Sequence, residues 1–291
     1  MIAFGSRAER LHGIGNLMFQ YAFTRMMARR LGVRFYFPDW IGDEVFSLKD
    51  RDERSPTAHN LSKRYVQPRE DCGFVEEALT IGDGTDIYGF FQSEAYFLDP
   101  DWVREWFTFR EEAIARTREG YRAVDFERTT SLHFRFGDKL RLRDMYVTPR
   151  PAYHGKALML VKNRESLLVV SDDIGRSKRI AGKLGGNASY ADGNRAYEDL
   201  YLMSRCHDNI CSTSTFSWWG AWLNAHADKV VVCPKEWLRP GYRAHRHMTC
   251  NGWIEVQTVH SVFGHYYAVL PFAKAYRTWD AIKRRIGELS Q

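Results

Sequence analysis

One short run of alternating residues combines a positive charge with an imidazole. Residues 132–136 read LHFRF, and because successive side chains of a strand point to opposite faces, His133 and Arg135 share one face. A guanidinium at a strand end can hold a pyrophosphate through charge-assisted, bidentate hydrogen bonds, and the imidazole can contact the attached nucleoside. The alternative is the polar face of an edge strand, and this run alone fits both.

Two carboxylates follow a second apolar run. Asp172 and Asp173 come directly after residues 166–171. A carboxylate in this position can accept the ring N–H and the exocyclic amine of guanine together, a pair of donors that adenine and uracil lack. Two further roles fit the same residues: they can bind a divalent metal ion with a nucleotide phosphate, or one of them can cap the helix that begins near residue 174.

The third segment is rich in hydroxyl groups. Residues 212–220 read STSTFSWWG and join a predicted strand to a predicted helix. The exposed N–H groups and the positive dipole end of such a helix start form a phosphate site without a metal ion, and one hydroxyl caps the helix in any case. The candidate residues of this site are Ser214, Thr215, Phe216 and Ser217.

All three segments lie at the carboxyl ends of strand candidates in the second half of the chain. There, the strand candidates are residues 131–136, 166–171, 209–212 and 229–233, and the helix candidates are 151–162, 175–184, 197–206 and 215–225. This alternation, with apolar strands, indicates a parallel sheet covered on both faces. Because such sheets bind ligands at the carboxyl ends of their strands, the convergence of the three segments predicts a bound nucleotide diphosphate.

A glycine-containing loop opens the first half of the chain. Residues 11–16 (LHGIGN) precede an apolar helix candidate at 17–31, and residues 33–37 follow as a strand candidate. The loop lacks the third glycine of a dinucleotide-binding fingerprint, so NAD binding is not expected. Residues 47–70 are polar and weakly periodic, which predicts an irregular stretch, and a domain boundary is expected at 120–128.

The composition restricts the class of protein. The 291 residues suit one large or two medium domains, and the hydrophobic fraction of 44% supports a buried core. The apolar runs fall short of the ~20 residues of a membrane-spanning helix, and Arg7 comes too early for a secretory signal, so we expect a cytoplasmic protein. Five scattered cysteines predict buried, unpaired thiols.

The charge balance restricts the partners. A formal net charge of +6 and a pI near 9.0 fit an anionic ligand or an anionic membrane surface. The basic residues form no DNA- or RNA-binding motif, so nucleic acid is not an expected partner. His245 and His247 lack further ligands at metal spacing, and Ser217 lies in no nucleophile elbow. The residues do not specify an oligomeric state.

Several blocks of the sequence resemble the bacterial alpha-1,2-fucosyltransferase family. Residues 13–22 (GIGNLMFQYA) are similar to its N-terminal signature, usually GGLGNQMFQYA, and residues 133–138 (HFRFGD) are similar to its HxRRGD block. Further similar blocks follow in the family's order at 89–97, 171–173, 199–224, 234–237 and 253–254. The resemblance covers about residues 11–256, and its stretch STFSWWGAW is highly specific.

The resemblance implies an α/β protein of GT-B type, with two Rossmann-like domains facing a cleft. It implies inverting transfer of fucose from GDP-β-L-fucose to the 2-hydroxyl of a terminal galactose on a glycan acceptor, without a metal ion or other cofactor. We expect an acceptor-side domain with the Gly-rich loop at residues 1–125, a donor-binding domain at 126–262 and a helical extension at 263–291.

The resemblance also implies roles for individual residues. The first Arg of the HxR block contacts the donor diphosphate in related families, which gives this role to Arg135. The Gly-rich loop approaches the donor from the other domain, which places Gly15 and Asn16 at the cleft. Asp138 and Asp144 follow the His133 strand and are candidate general bases, although Asp138 can instead orient Arg135.

The sequence departs from the family pattern at two positions. Phe136 replaces the second Arg of the HxRRGD block, although its side chain should point away from the face of Arg135. Leu17 replaces a Gln, so we expect acceptor contacts that differ from those of the family pattern.

The last segment of the chain lies beyond the matched blocks. It carries an apolar stripe at helical spacing: Trp279, Ile282, Ile286 and Leu289. The stripe either packs on the body of the protein or docks on a membrane surface beside the basic residues 283–285. The rival functions are a transferase that uses another nucleotide sugar or linkage, and a non-catalytic basic binding module.

Overall fold

The computed structural model describes residues 1–5, 13–58, 61–68, 73–163, 166–185, 187–239 and 248–258, except for the side chains of Asp138 and Arg141. The expected extension at 263–291 and Cys72 lie outside these residues. The other four cysteines are buried and free, as predicted. Within the described part of the chain, no helix is long and apolar enough to cross a membrane.

The first sheet has four parallel strands in the order β2-β1-β4-β3. They are β1 (Ile2–Phe4), β2 (Phe35–Tyr36), β3 (Lys63–Val66) and β4 (Thr85–Tyr88). Strand β3 falls inside residues 47–70, so the prediction of an irregular stretch is wrong in this part. The reason is that β3 is a mostly exposed edge strand, whose polar residues give no apolar alternation.

The second sheet has six parallel strands in the order β10-β9-β8-β5-β6-β7. They are β5 (Thr130–Phe134), β6 (Ser166–Ser171), β7 (Asn187–Tyr190), β8 (Asp208–Ile210), β9 (Val231–Pro234) and β10 (Ile254–Val256). Because β5 pairs with both β6 and β8, the edge-strand alternative for His133 is wrong. This is a doubly wound order, which opens a ligand crevice where the winding reverses, between β5 and β8.

Helices connect the strands and cover the sheets. They are α1 (Ile14–Leu31), α2 (Gly42–Val45), α3 (Pro100–Trp106), α4 (Glu111–Gly120), α5 (Gly137–Arg141), α6 (Pro151–Leu158), α7 (Ile174–Ala181), α8 (Ala196–Arg205) and α9 (Thr215–Leu223). Helix α1 is buried over most of its length, as its apolar sequence predicts, and ends at Gly32 in the left-handed conformation (φ 65°).

The two sheets share one hydrophobic core. A single cluster joins Ile2 and Phe35 of the first sheet to Leu168 of the second and to Trp218 and Trp219 of α9. Helix α1 packs directly on α9. The strands of the first sheet end at residue 88 and those of the second begin at residue 130, so the expected boundary at 125–126 falls between them. Because both sheets pack on this shared core, their relative position is set, and a cleft remains between the strand ends of the two halves.

Candidate active site

A cavity of about 580 Å³ lies between the two sheets. The start of α1 and the segment after β4 form one wall, and the segments after β5, β6, β7 and β8 form the other. Eight of the residues predicted from the sequence line it: Gly15, Asn16, His133, Arg135, Asp172, Ser214, Thr215 and Phe216. The carboxyl ends of the strands therefore bring the separate sequence segments together.

Two helices direct their first turns at this cavity. Helix α1 follows Gly13, which offers no capping side chain, and α9 follows Ser214, whose Oγ accepts a hydrogen bond from the N–H of Phe216 at 3.3 Å. Neither first turn contains an acidic residue. Because the first N–H groups of a helix lack intrahelical acceptors and carry partial positive charge, the two helix starts together form a site for an anion.

Gly15 allows the two helix starts to touch. A Cβ atom built on Gly15 would lie 2.8 Å from the backbone nitrogen of Phe216 and 2.8 Å from the carbonyl carbon of Thr215. The carbonyl oxygen of Gly15 also accepts a hydrogen bond from Trp219 Nε1 at 2.9 Å. A side chain at residue 15 would therefore separate the helices, and glycine is required for a close approach between the halves.

Asn16 bridges the two halves through its side-chain oxygen. Its Oδ1 accepts hydrogen bonds from Gln92 Nε2 at 2.9 Å and from Thr215 Oγ1 at 3.0 Å. These contacts fix the orientation of the amide, and its Nδ2 has no acceptor among the described residues. Gln92 was not predicted as a site residue, although it lies in the 89–97 block of the resemblance.

His133 is a neutral group at the floor of the cavity. Burial, together with the nearby positive charge of Arg135 and the ring of His154, lowers the pKa of His133 to about 3. Its Nδ1 lies 2.8 Å from Ser212 Oγ, and its ring centroid is 5.6 Å from that of Phe216. The imidazole can therefore offer a neutral hydrogen bond to a ligand, but it adds no charge.

Arg135 and Asp172 form an ion pair at the edge of the cavity. Arg135 follows β5, and its Nη1 lies 3.3 Å from Asp172 Oδ2. The other carboxylate oxygen, Asp172 Oδ1, accepts the backbone N–H of Phe136 at 2.9 Å. Asp173 has a different role, because its Oδ1 accepts the backbone N–H of Arg176 at 2.8 Å and caps α7. The helix-cap interpretation is thus confirmed for Asp173, while Asp172 holds Arg135 in place.

Two predicted residues, Ser217 and Asp144, do not line the cavity. Ser217 is buried and does not line the cavity; its Oγ bonds to the backbone of Ser212 and Ser214 and fixes the turn before α9. Asp144 is exposed in the turn after α5, away from the lining. Asp138 lies on α5, but its side chain is outside the described part of the structure.

The two departures from the family pattern fall in the core. Phe136 is buried, and its ring stacks on Phe134 at 5.9 Å between centroids. This agrees with the prediction that it points away from the face of Arg135. Leu17 is 6% exposed and belongs to the shared core, so it does not line the cavity.

The structure also adds residues that the sequence did not single out. Lys139 lines the cavity with its Nζ 3.3 Å from the ring centroid of Tyr146, and supplies a second cation near Arg135. Asp199, in the first turn of α8, lines the cavity as well. The signal for Asp199 was present, since it begins the 199–224 block of the resemblance, but sequence alone gave no reason to separate it from its neighbours.

The profile of one protein family matches the part of the chain that builds most of this site. That family is Glycosyl transferase family 11, and the match covers residues 77–257, more than half of the chain. The chain belongs to glycosyl transferase family 11. This confirms the resemblance that the sequence blocks indicated, and the cavity is the candidate site of glycosyl transfer.

Individual proteins show the same relationship. The chain is 27% identical over 308 residues to the O-antigen biosynthesis glycosyltransferase WbnK of Escherichia coli, covering 84% of this chain and 98% of that protein. It is 29% identical over 166 residues to an alpha-1,2-colitosyltransferase of Escherichia coli, covering 53% of this chain and 56% of that protein.

Two solved structures, one of them the fucosyltransferase NodZ, are also similar to this family 11 chain. NodZ from Bradyrhizobium is 17% identical, with a TM-score of 0.48, and the match covers 75% of this chain and 91% of that one. The apo form of POFUT1 is 13% identical, with a TM-score of 0.49, and the match covers 80% and 97% of the two chains.

Proposed function

We propose that this enzyme transfers L-fucose from GDP-β-L-fucose to the 2-hydroxyl of a terminal galactose on a glycan acceptor, with inversion at the anomeric carbon. One observation carries the proposal: Arg135 and the first turns of α1 and α9 face a single cavity between the two sheets. This arrangement suits a donor whose leaving group is a diphosphate, because it concentrates positive charge where that group would lie.

The proposed reaction is an attack of the acceptor hydroxyl oxygen on C1 of fucose. The C1–O bond to GDP breaks as the new bond forms, through an oxocarbenium-like transition state, and negative charge builds on the departing diphosphate. Arg135, Lys139 and the two helix starts are held in place before the reaction, so they stabilise that charge without reorganisation. The proton of the acceptor passes to a general base, for which Asp138 remains our candidate and Asp144, exposed away from the cavity, is less suited.

The proposal includes no metal ion and no other cofactor. Two helix starts and the side chains of Arg135 and Lys139 can compensate a diphosphate by themselves. Among the described residues, no group of three or more His, Cys, Asp or Glu side chains is arranged to hold a metal ion. Chelation with EDTA tests this part of the proposal directly.

A second donor follows from the similarity to the alpha-1,2-colitosyltransferase. Colitose lacks the 3-hydroxyl group of fucose, so GDP-colitose would occupy the same diphosphate and nucleoside sites. A groove that hydrogen-bonds the 3-hydroxyl would favour fucose, because an unmatched buried polar group costs about 1–3 kcal/mol.

A donor and acceptor screen tests the proposed function. Purified protein is incubated with GDP-fucose, GDP-colitose, GDP-mannose and UDP-sugars, each with and without galactose-terminated glycans, and GDP or UDP release is measured. We expect release with GDP-fucose that increases with the acceptor, and an α-1,2 linkage in the NMR spectrum of the product. Turnover with UDP-sugars but with no GDP-sugar would show that the proposed donor is wrong. Failure of every donor with every glycan would favour a binding module.

We also propose that the enzyme acts in the cytoplasm and contacts the inner membrane surface. The net charge of +6 supports attraction to anionic lipid. Sedimentation with vesicles that contain anionic lipid, against vesicles of neutral lipid alone, tests this contact. Equal recovery with both would remove it.

A further inference from the structure

The carboxylate that the sequence suggested for guanine recognition is already engaged. Both oxygens of Asp172 have partners, the N–H of Phe136 on Oδ1 and the guanidinium of Arg135 near Oδ2. A Cβ atom on Gly137 would lie 2.7 Å from the same Oδ2, so the loop after β5 closes against this side chain. A carboxylate that reads guanine must offer both oxygens to two parallel N–H donors. Both oxygens of Asp172 already have a partner, and the Gly137 backbone closes on Oδ2, so little room is left for a base.

Asp199 offers the acceptor that Asp172 does not. Its Oδ1 accepts a hydrogen bond from Asn194 Nδ2 at 2.9 Å, and the same Nδ2 lies 2.9 Å from the hydroxyl of Tyr121. Its Oδ2 accepts no hydrogen bond from any residue that the structure describes, and a carboxylate oxygen has room for more than one donor. The side chain is half-buried and lines the cavity.

Asp199 lies at a distance from the diphosphate site that suits the base of the same bound nucleotide. The diphosphate site lies at the switch point between β5 and β8, whereas α8 begins after β7, two strands beyond β5. With neighbouring strands ~4.8 Å apart, the two positions are separated by roughly 10 Å along the edge of the sheet. A nucleoside attached to the diphosphate can span this distance, and the apolar side chains of Val170 and Ala196 line the cavity along the way.

We propose that Asp199, rather than Asp172, accepts the N1–H and the 2-amino group of the guanine base of the donor. The inference rests on the proposed use of a GDP-sugar and adds the residue that determines the nucleotide. Adenine presents one donor and one acceptor on the corresponding edge, and uracil presents a single N–H between two carbonyls, so neither can satisfy both oxygens. Asp172 then acts as a positioning residue for Arg135.

The electrostatic surroundings of Asp199 support this role. The pKa of Asp199 is raised to about 6, mainly by burial and further by the carboxylates of Glu198 and Asp192, while the hydrogen bond from Asn194 acts in the opposite direction. Glu198 is itself paired with Arg116 of α4 at 2.8 Å, and Tyr121 faces Asp199 through Asn194. Since two base N–H donors stabilise the charged form, binding of the base should expel a proton near pH ~6.

Calorimetry with GDP and IDP, which lacks the 2-amino group, tests the inference at about pH 7.5. Wild type should prefer GDP over IDP. Asp199→Asn places an N–H against a base N–H, so GDP binding should weaken roughly 5- to 150-fold and the preference for GDP should disappear. Asp172→Asn should keep the preference while weakening both nucleotides. Asp192→Asn is the matched control at this pH, because Asp192 is exposed in the loop that precedes α8 and does not line the cavity.

The pH dependence gives a second readout that does not depend on turnover. Asp199 binds the base as a carboxylate, so GDP affinity relative to Asp199→Asn should fall as the pH is lowered through ~6, approaching tenfold per pH unit. Both proteins bind the same diphosphate, so its own titration cancels between the variants. A Glu at residue 199 (Asp199→Glu) should recover part of the preference if the variant folds as wild type in thermal unfolding.

The outcomes separate this inference from the proposed function. If wild type prefers GDP and Asp199→Asn keeps that preference, Asp199 does not read the base, and the GDP-sugar proposal survives. If Asp199→Asn binds GDP and IDP as wild type does but loses turnover, the residue acts on the acceptor and the inference is overturned. If wild type binds neither GDP nor IDP but binds UDP, the proposed function itself fails.

Discussion

Substitution of Gly15 by alanine tests whether the two helix starts meet as described. In an isolated helix this change would be favourable, because alanine is preferred over glycine by about 1 kcal/mol. Here the new Cβ atom would lie 2.8 Å from the backbone of Thr215 and of Phe216, whereas ordinary contacts begin at 3.4 Å. Because backbone cannot rotate away as a side chain can, α1 and α9 must separate by at least about half an ångström.

Two consequences of different size follow from this separation. Overpacking of a tight contact costs about 1–3 kcal/mol, which exceeds or cancels the gain in helix propensity and lowers Tm by roughly 2–4 °C per kcal/mol. The anion site is built from the same two helix starts, and a misplacement of ~1 Å can cost ~10²-fold in rate. We therefore expect kcat/KM to fall by roughly 10- to 100-fold, more than the loss of stability alone would cause.

The assay compares Gly15→Ala with Gly120→Ala. Gly120 ends α4, and a Cβ atom added to it would meet nothing within 4 Å, so its substitution should leave Tm and activity near wild type. Thermal unfolding and steady-state rates with GDP-fucose are measured for both variants. A Gly15→Ala protein with wild-type Tm and wild-type kcat/KM would refute the close contact between the helix starts.

Three further predictions concern the charges of the site and of the core. Arg135→Ala should fold normally but lose ~10²- to 10³-fold in rate, since it removes one preorganised donor to developing charge; near-normal activity would contradict its role. Activity should survive EDTA, and loss that magnesium or manganese reverses would show a metal-dependent reaction. Burial lowers the pKa of His133 to about 3 and of His154 to about 4. The unfolded chain therefore takes up these protons first, and the free energy of unfolding should fall below pH ~6.5 by up to ~1.4 kcal/mol per pH unit for each ring. Urea titrations at about pH 7.5 and 5.5 test this, and an unchanged pH slope in His154→Gln would contradict it.

In the first half of the chain, the sequence pattern did not predict strand β3, whose residues are mostly polar and exposed. An exposed edge strand such as β3 has no buried face, so its side chains need not alternate, and residues 63–66 gave no strand signal. The central strand β5 gave a clear signal, but alternation alone could not distinguish a central strand from an edge. That distinction depends on pairing with β6 and β8, which are formed by residues far along the chain.

The sequence by itself determined the family, the alternation of strands and helices, and the segments that end in the cavity. These follow from local chemistry: apolar runs, a hydroxyl-rich helix start, and blocks of specific residues. Only the tertiary structure decided which carboxylate is available. The sequence pointed to Asp172, which directly follows a predicted strand, and did not single out Asp199, 27 positions later. Both oxygens of Asp172 have partners, Arg135 and the N–H of Phe136, whereas Oδ2 of Asp199 has no donor among the described residues. The reason is that the packing of separate segments, and not the spacing along the chain, determines which hydrogen-bond partners a side chain meets.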